Sequence, residues 1–370
     1  MSSVEAQTIV PAPWADAKGI DMNSNALPEG FPAMIHGDSA WTATNFSNNN
    51  EYIYHLSAAE VSEVKQGLDG FKKLGLNATK ITDKTFSLPT LGITLHDLSK
   101  EVHNGRGFAV LRGLNTEDFS SGDLTMIFMG ISAYIGDKIG RQDRAGNCLV
   151  HIIADKANGT HHRHSTDPIK FHTEESGDCI AWLTRNVALD GGKCVISSTA
   201  TIYNVLAATR PDLLRIVAAG NWPFAFPRYQ CRPVMFNQGG KVLFNFGRAP
   251  LLGSSIHPRK AHLPTLTAQQ VEALDAIEAI ARATEFSFAT QPGDIHFIAN
   301  QTVLHRRDGF TDGQGQRRHL VRLRLSSSAY GAKIPALSRE WNDAFGEVGD
   351  RVFHFDPMPS QFFPLRKYPN

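Results

Sequence analysis

The chain has 370 residues, 42% of them hydrophobic, and a formal net charge of +1. That is enough apolar material for a large core and too little net charge to favour nucleic acid or a membrane surface, so the expected partner is a small molecule recognised at a site. Four cysteines without CxxC spacing, no basic start followed by an apolar run, and no stretch near the roughly 18 apolar residues of a membrane span predict a reduced, soluble, cytoplasmic protein, with a dimer as the default oligomer.

In chain order, the first fifty or so residues are rich in Pro, Gly, Asn and Ser and read as an extended arm packed over something larger. "LSAAEVSEVKQGLDGFKKLG" predicts a helix: Ser57 and Glu60 form a capping box, Val61, Val64, Leu68 and Phe71 share a stripe, and Gly75 ends it. "GRGFAVLRGL" reads as a buried strand and "LTMIFMGISAYIG" as a buried helix. From about residue 148 strands dominate: "CLVHII", "CIAWLTRN", "KCVISS", "KVLFNF", "DIHFIAN" and "HLVRLRLSS". Two helical stretches interrupt them, "TIYNVLAATRPDLLRIVAAG" with a proline-led second part, and "LTAQQVEALDAIEAIARATEF" opened by Thr267 and Gln270. Short strands without regular βα alternation favour a β-barrel or jelly roll over a doubly wound sheet. The expected organisation is one domain over 1–370: an arm and helix (1–84), a mainly β core with helical insertions (85–330), and an aromatic C-terminal tail (331–370) that is a candidate lid.

Three His-x-acid pairs occur, His36-Gly37-Asp38, His172-Thr173-Glu174 and His354-Phe355-Asp356, where composition alone gives one or two. On a strand, residues two apart share a face, so His172 and Glu174 can reach one metal ion. The context that separates this pair lies 131 residues after Glu174, in "PGDIHFIANQTVLHRRDGFTDGQGQRRHLVRLRLSS". His305 follows a strand, and on the next strand Arg318, Arg322 and Arg324 share a face with Leu320, opposite Val321, Leu323 and Leu325. Three same-face arginines are costly in a barrel interior unless they meet carboxylates. One chemistry uses all these parts. Two imidazoles and a carboxylate occupy one face of Fe(II), leaving three positions for reacting ligands. 2-Oxoglutarate chelates through two of them, O2 takes the last, and Arg318 is the candidate for the distal carboxylate.

"FHTE", "LDGGKCVISS", "PGDIHFIANQTVLHRRDGF" and "RRHLVRLRL", with "GRGFAVLRGL" and "YIGDKIGRQDRAGN", resemble the TauD/TfdA group of Fe(II)/2-oxoglutarate dioxygenases, closest in pattern to its fungal clavaminate synthase-like branch. The resemblance covers about residues 85–330 and implies a double-stranded β-helix, a cupin-like jelly roll with helices outside. By resemblance His172, Glu174 and His305 match the iron ligands, Arg318 the 2-oxoglutarate arginine, and Arg322 a position that binds a substrate anion in some members. Two positions depart from the common pattern. Glu174 stands where most members carry aspartate, and Cys194 stands where many place Thr or Ser to bind the 2-oxoglutarate carboxylate, which a thiol does weakly. A carboxylate at 174 also argues against halogenation. The implied activity is oxidation of an unactivated C–H bond of a small amino-acid-like or anionic substrate in specialised metabolism, by hydroxylation, desaturation or ring closure.

Elsewhere, "THHRHSTD" (160–167) reads as an exposed loop near the pocket mouth, and Arg141, Gln142 and Arg144 read as a solvated turn with a substrate-facing alternative. Phe345, in the aromatic tail, is a candidate substrate contact. A zinc hydrolase and a non-catalytic carboxylate-binding barrel are the rival readings; the first lacks HExxH and has no use for Arg318 thirteen residues beyond His305, and the second leaves the triad unexplained.

Overall fold

The computed structural model describes residues 26–48, 51–154, 162–254, 257–332 and 334–355. Two sheets carry the site. Their strands are β1 (Ile53–His55), β2 (Phe108–Arg112), β3 (Lys138–Ile139), β4 (Val150–Ile153), β5 (Ile169–His172), β6 (Cys179–Asn186), β7 (Cys194–Ser198), β8 (Phe286–Ser287), β9 (Ile295–Ala299), β10 (Val303–Arg307) and β11 (His319–Ser326). The major sheet runs β1-β2-β9-β6-β11-β3, with β4 also paired to β11; the minor sheet runs β8-β7-β10-β5. All pairings are antiparallel except β1 with β2. This is the mainly β, jelly-roll architecture expected, without a closed barrel.

Period-two alternation sorts the side chains into three apolar layers. Ile295, Phe297, Ala181, Leu183, Val321, Leu323 and Leu325 face outward from the major sheet onto α1 (Ala58–Lys73), α2 (Leu91–Asn104) and α3 (Ser121–Ser132). Phe108, Val110, Ile180, Trp182 and Ile298 face inward and meet Ile196 and Val303 of the minor sheet. Behind the minor sheet, Phe171, Val195 and Leu304 pack on α4 (Thr199–Thr209), α5 (Pro211–Ala218) and α6 (Ala268–Ala283). Both sheets therefore have a dry outer face, and polar chemistry is confined between them.

The local signals act as expected where they are strong. Ser57 and Glu60 close a capping box on α1, Thr267 and Gln270 do the same on α6, and Pro211 opens α5. The arm packs on α4: Asn204 exchanges hydrogen bonds with both main-chain groups of Ile35, and Tyr203 donates to the carbonyl of Pro32. Trp41 joins the layer between the sheets. α2 and β10 were not anticipated; His305 follows the expected strand β9 and stands on β10. No helix among the described residues is long and apolar enough to cross a membrane.

No described residue of the tail lines the cavity. Phe353 and Phe355 pack against the outer layer of the major sheet, and the carbonyl of Phe355 accepts from Thr125 and Arg185. Phe362 and Phe363 lie outside the described residues.

Gly130 on α3 faces the fully buried ring of Phe86, and a Cβ there would overlap that ring. Overpacking costs about 1–3 kcal/mol against about 1 kcal/mol of helix propensity gained by alanine. Gly130→Ala is thus expected to lose about 1 kcal/mol in urea unfolding; a gain would show that Phe86 can move aside.

Candidate active site

The two imidazoles are set by strand register. His172 on β5 and His305 on β10 are direct cross-strand partners, with ring centroids 4.3 Å apart. His172 Nδ1 donates to the carbonyl of Lys170 at 2.8 Å, which leaves Nε2 as the lone-pair nitrogen, 3.8 Å from Glu174 Oε1. His305 Nδ1 is buried without a hydrogen-bond partner.

Glu174 keeps the expected parity with His172 but lies beyond the strand, which ends at His172. Side-chain amides replace the ladder. The Glu174 N–H donates to Asn300 Oδ1 at 2.7 Å, and Asn300 Nδ2 and Asn245 Nδ2 both donate to the Glu174 carbonyl at 3.1 Å. Ligand atoms of His172, Glu174 and His305 all lie within 4.8 Å of one another.

Three guanidiniums converge on the Glu174 carboxylate. Arg163 Nη2 lies 2.6 and 2.5 Å from its two oxygens, Arg322 Nη1 is 2.7 Å from Oε1, and Arg324 Nη2 is 2.9 Å from Oε2. Burial alone would raise this carboxyl's pKa, but Arg163, Arg322 and Arg324 together hold it well below the usual range. Burial lowers both histidines, and the mutual repulsion of the rings depresses His305 further. The donor set is therefore two neutral imidazoles and one ionised carboxylate, with an orphaned ring nitrogen among them, and it fits a divalent iron ion.

These residues border an open cavity with apolar walls from Ile152, Ile169, Ile180, Trp182 and Leu320. Arg318 and Cys194 line it together. The main-chain N–H of Arg318 donates to Asp312, its Nε donates to the carbonyl of Gly192, and its guanidinium lies 5.3 Å from the Phe310 ring centre. Burial lowers the Arg318 pKa to about 10, so it remains cationic at neutral pH. Burial pushes the Cys194 thiol up to about 12 despite Arg318, which keeps it a neutral thiol.

Other expected residues lie elsewhere or are otherwise engaged. Arg322 lines the cavity, but it is paired to Glu174 and, through Nε, to Gln142 Oε1 at 2.8 Å. Phe345 does not line the cavity; it ends helix α7 (Ser338–Phe345), and its ring covers Gly140 and stands 6.2 Å from Trp341. Arg141 is not a solvated or substrate-facing group. It is buried and donates to the carbonyls of Asn342, Asp343, Gly346 and Gly349, so it clamps the segment that contains α7. In "THHRHSTD", His161 and the His162 side chain lie outside the described residues, while His164 is buried on the carbonyl of Ile153. Arg163 of that stretch and Asn300 were missed. Arg163 stands inside a stretch that reads as an exposed loop; the signal for Asn300 was the polar "NQT" directly after a buried strand.

A jelly roll with two imidazoles and one carboxylate at a cavity between its sheets defines a class, the non-haem iron oxygenases that use 2-oxoglutarate. The family model "Taurine catabolism dioxygenase TauD, TfdA family" matches residues 71–324, and the chain belongs to that family. Among curated proteins, it is 32% identical over 342 residues to a taurine hydroxylase-like protein, SAT17, of Stachybotrys chartarum, covering 88% of this chain and 89% of that one. It is 24% identical over 311 residues to FR-33289 synthase of Streptomyces rubellomurinus, covering 78% and 89%. Among solved structures, an asparagine oxygenase with Fe(II), 3-hydroxyasparagine and succinate aligns with a TM-score of 0.59 at 16% identity, covering 75% of this chain and 94% of that one. The non-haem iron oxygenase OrfP with Fe and alpha-ketoglutaric acid aligns at 0.58 and 14%, with the same coverage. The protein is an Fe(II)/2-oxoglutarate-dependent dioxygenase, with Fe(II), 2-oxoglutarate and O2 as its requirements. The hydrolase and non-catalytic readings are thereby set aside.

Asn300→Ala would orphan the buried Glu174 N–H, while Asn245 and Gln301 still serve the carbonyls of Glu174 and Gly177. A loss of about 1–3 kcal/mol is expected in urea unfolding. An unchanged midpoint would mean that the arginines alone hold Glu174 in position.

Proposed function

We propose that His172, Glu174 and His305 hold Fe(II), that Arg318 binds the distal carboxylate of 2-oxoglutarate beside Cys194, and that the enzyme oxidises an unactivated C–H bond of a small amino-acid-like or anionic substrate in specialised metabolism. The observation that carries this reading is the convergence of the three donor groups beside a cavity that Arg318 also lines. Bound there, iron with 2-oxoglutarate and O2 supplies an oxidant able to remove hydrogen from such a bond, with succinate and CO2 as co-products. The relatives lend support to the substrate class: one solved neighbour holds 3-hydroxyasparagine, and another holds hydroxylated arginines. Four unbridged cysteines support a reducing compartment, the cytoplasm.

The chain's own residues then have separable tasks. Arg318 makes no hydrogen bond through Nη1 or Nη2 among the described residues, which leaves both for a bidentate carboxylate. Its Nε contact and the Phe310 ring fix the plane of the guanidinium. Cys194, a neutral thiol, fills space beside it and offers only a weak hydrogen bond. Gln142 turns Arg322 by accepting from its Nε and donating to its carbonyl. Ile152, Ile169, Ile180, Trp182 and Leu320 exclude water from the space where a substrate C–H bond must lie.

Anaerobic addition of Fe(II) and 2-oxoglutarate should produce a visible charge-transfer band that His172→Ala abolishes; a band that survives in the variant would count against the ligand set. Arg318→Ala should raise the KM for 2-oxoglutarate by about 10-fold or more, with a much smaller change for substrate, because it removes a charge-assisted bidentate contact of about 1.5–3 kcal/mol. Equal effects on both would remove the assigned role.

A further inference from the structure

The amide of Asn245 holds the Glu174 carbonyl, and an amide can turn either its oxygen or its nitrogen to a neighbour. Arg232 removes that choice. Its Nη2 donates to Asn245 Oδ1 at 2.6 Å, and a guanidinium carries no acceptor, so only the oxygen can face it. The amide nitrogen is thereby sent to the other side, where it donates to the Glu174 carbonyl at 3.1 Å and to Thr173 Oγ1 at 3.4 Å.

Packing alone does not account for an arginine at this place. Arg232 ends a short strand (Gln230–Arg232), is 1% exposed, and sets its guanidinium 3.5 Å from the ring centre of Phe224 on the paired strand (Trp222–Phe224). Among the described residues no carboxylate forms an ion pair with it, and its Nε and Nη1 are buried without hydrogen-bond partners. Glu340 on α7 acts on it through the field, without a hydrogen bond. Burial lowers its pKa to about 10, so the charge persists at neutral pH. A methionine would fill the space over Phe224 without the cost of burying a charge. What methionine cannot do is donate to Asn245.

We propose that Arg232 is a positioning residue of the metal site: acting through Asn245, it fixes the main chain at Glu174 and hence the reach of that carboxylate toward His172 and His305. This rests on the reading of those three residues as metal ligands. A charged donor on Oδ1 polarises the amide, which strengthens the bond that its nitrogen gives to the Glu174 carbonyl. Asn300 holds the same residue through both its N–H and its carbonyl, so loss of Arg232 shifts Glu174 rather than releasing it. The metal is then bound less tightly by a complete set of ligands.

A double-mutant cycle on the full chain tests the route. Co(II) is titrated without O2 and followed by visible absorption, with far-UV circular dichroism to confirm folding. Arg232→Met should weaken Co(II) binding about 10-fold, the lower end for groups that orient metal ligands, and Asn245→Ala should weaken it at least as much. In the Asn245→Ala background, Arg232→Met should change the affinity by less than about twofold, because its route to Glu174 is already gone. A merely structural arginine would instead cost the same factor in both backgrounds, and that result overturns the proposal. So does an affinity unchanged by Arg232→Met while His172→Ala abolishes binding. Should Arg232→Met fail to fold, Arg232→Leu takes its place in the cycle with the same expectations. If wild type binds no Co(II), or His172→Ala binds it as tightly as wild type, the ligand reading fails and the positioning role fails with it.

Discussion

The Glu174 side chain is 1% exposed and ionised, because Arg163, Arg322 and Arg324 surround it. Burying one carboxylate costs several kcal/mol, and burying a guanidinium costs as much; neither is tolerated without the other. The constraint runs through β11. Val321, Leu323 and Leu325 fill the outer layer, so Arg322 and Arg324 must point between the sheets, and only an anion at a fixed point there can accept both. Burial keeps His172 and His305 neutral and their lone pairs available; Glu174 pulls both pKa values up, and Arg163 and Arg322 push them down.

The donor groups are positioned by two different means. His172 and His305 inherit their spacing from the β5–β10 ladder, where a one-residue slip would turn either ring into the apolar layer with Phe171 and Leu304. Glu174 has left the ladder, and Asn300 and Asn245 take over its main-chain hydrogen bonds from the segments after β9 and before the helical turn at Arg248. Both amides are buried, which makes these replacements strong. Strand register and amide clamp thus meet at one point, and the helices on either side keep both sheets dry enough to hold it.

Much of this was legible because it obeys a short period. The alternation of Arg318, Arg322 and Arg324 with Val321, Leu323 and Leu325 is local, and so is the capping box of α1; the motif order that carries the family resemblance adds the long-range link between His172 and His305. What escaped has no period. Arg163 acts through a long side chain from a turn between histidines, and nothing in neighbouring residues says where its guanidinium ends. Phe345 was drawn toward the pocket by the aromatic content of the tail, yet a flat ring over Gly140 serves packing equally well. Arg141 looked solvated because its neighbours are polar, and it is buried because four carbonyls satisfy it. α2 was obscured by "LHDLSKEVHN", whose charged residues mask a stripe of Leu91, Leu95 and Val102.

The glutamate at 174 can be understood from the same geometry. Here the strand ends at His172, and the main chain at 174 is drawn toward Asn300 and Asn245. Removing one methylene would withdraw the carboxylate by about 1.5 Å. Contacts of 2.7 and 2.9 Å to Arg322 and Arg324 would then lengthen beyond hydrogen-bonding range unless the main chain moved, and the amide clamp resists that movement. The longer arm is therefore what lets one carboxylate face the two imidazoles and satisfy the arginines of β11 together. An aspartate would be left to serve one of those neighbours at the expense of the other, with a buried guanidinium unpaired as the result.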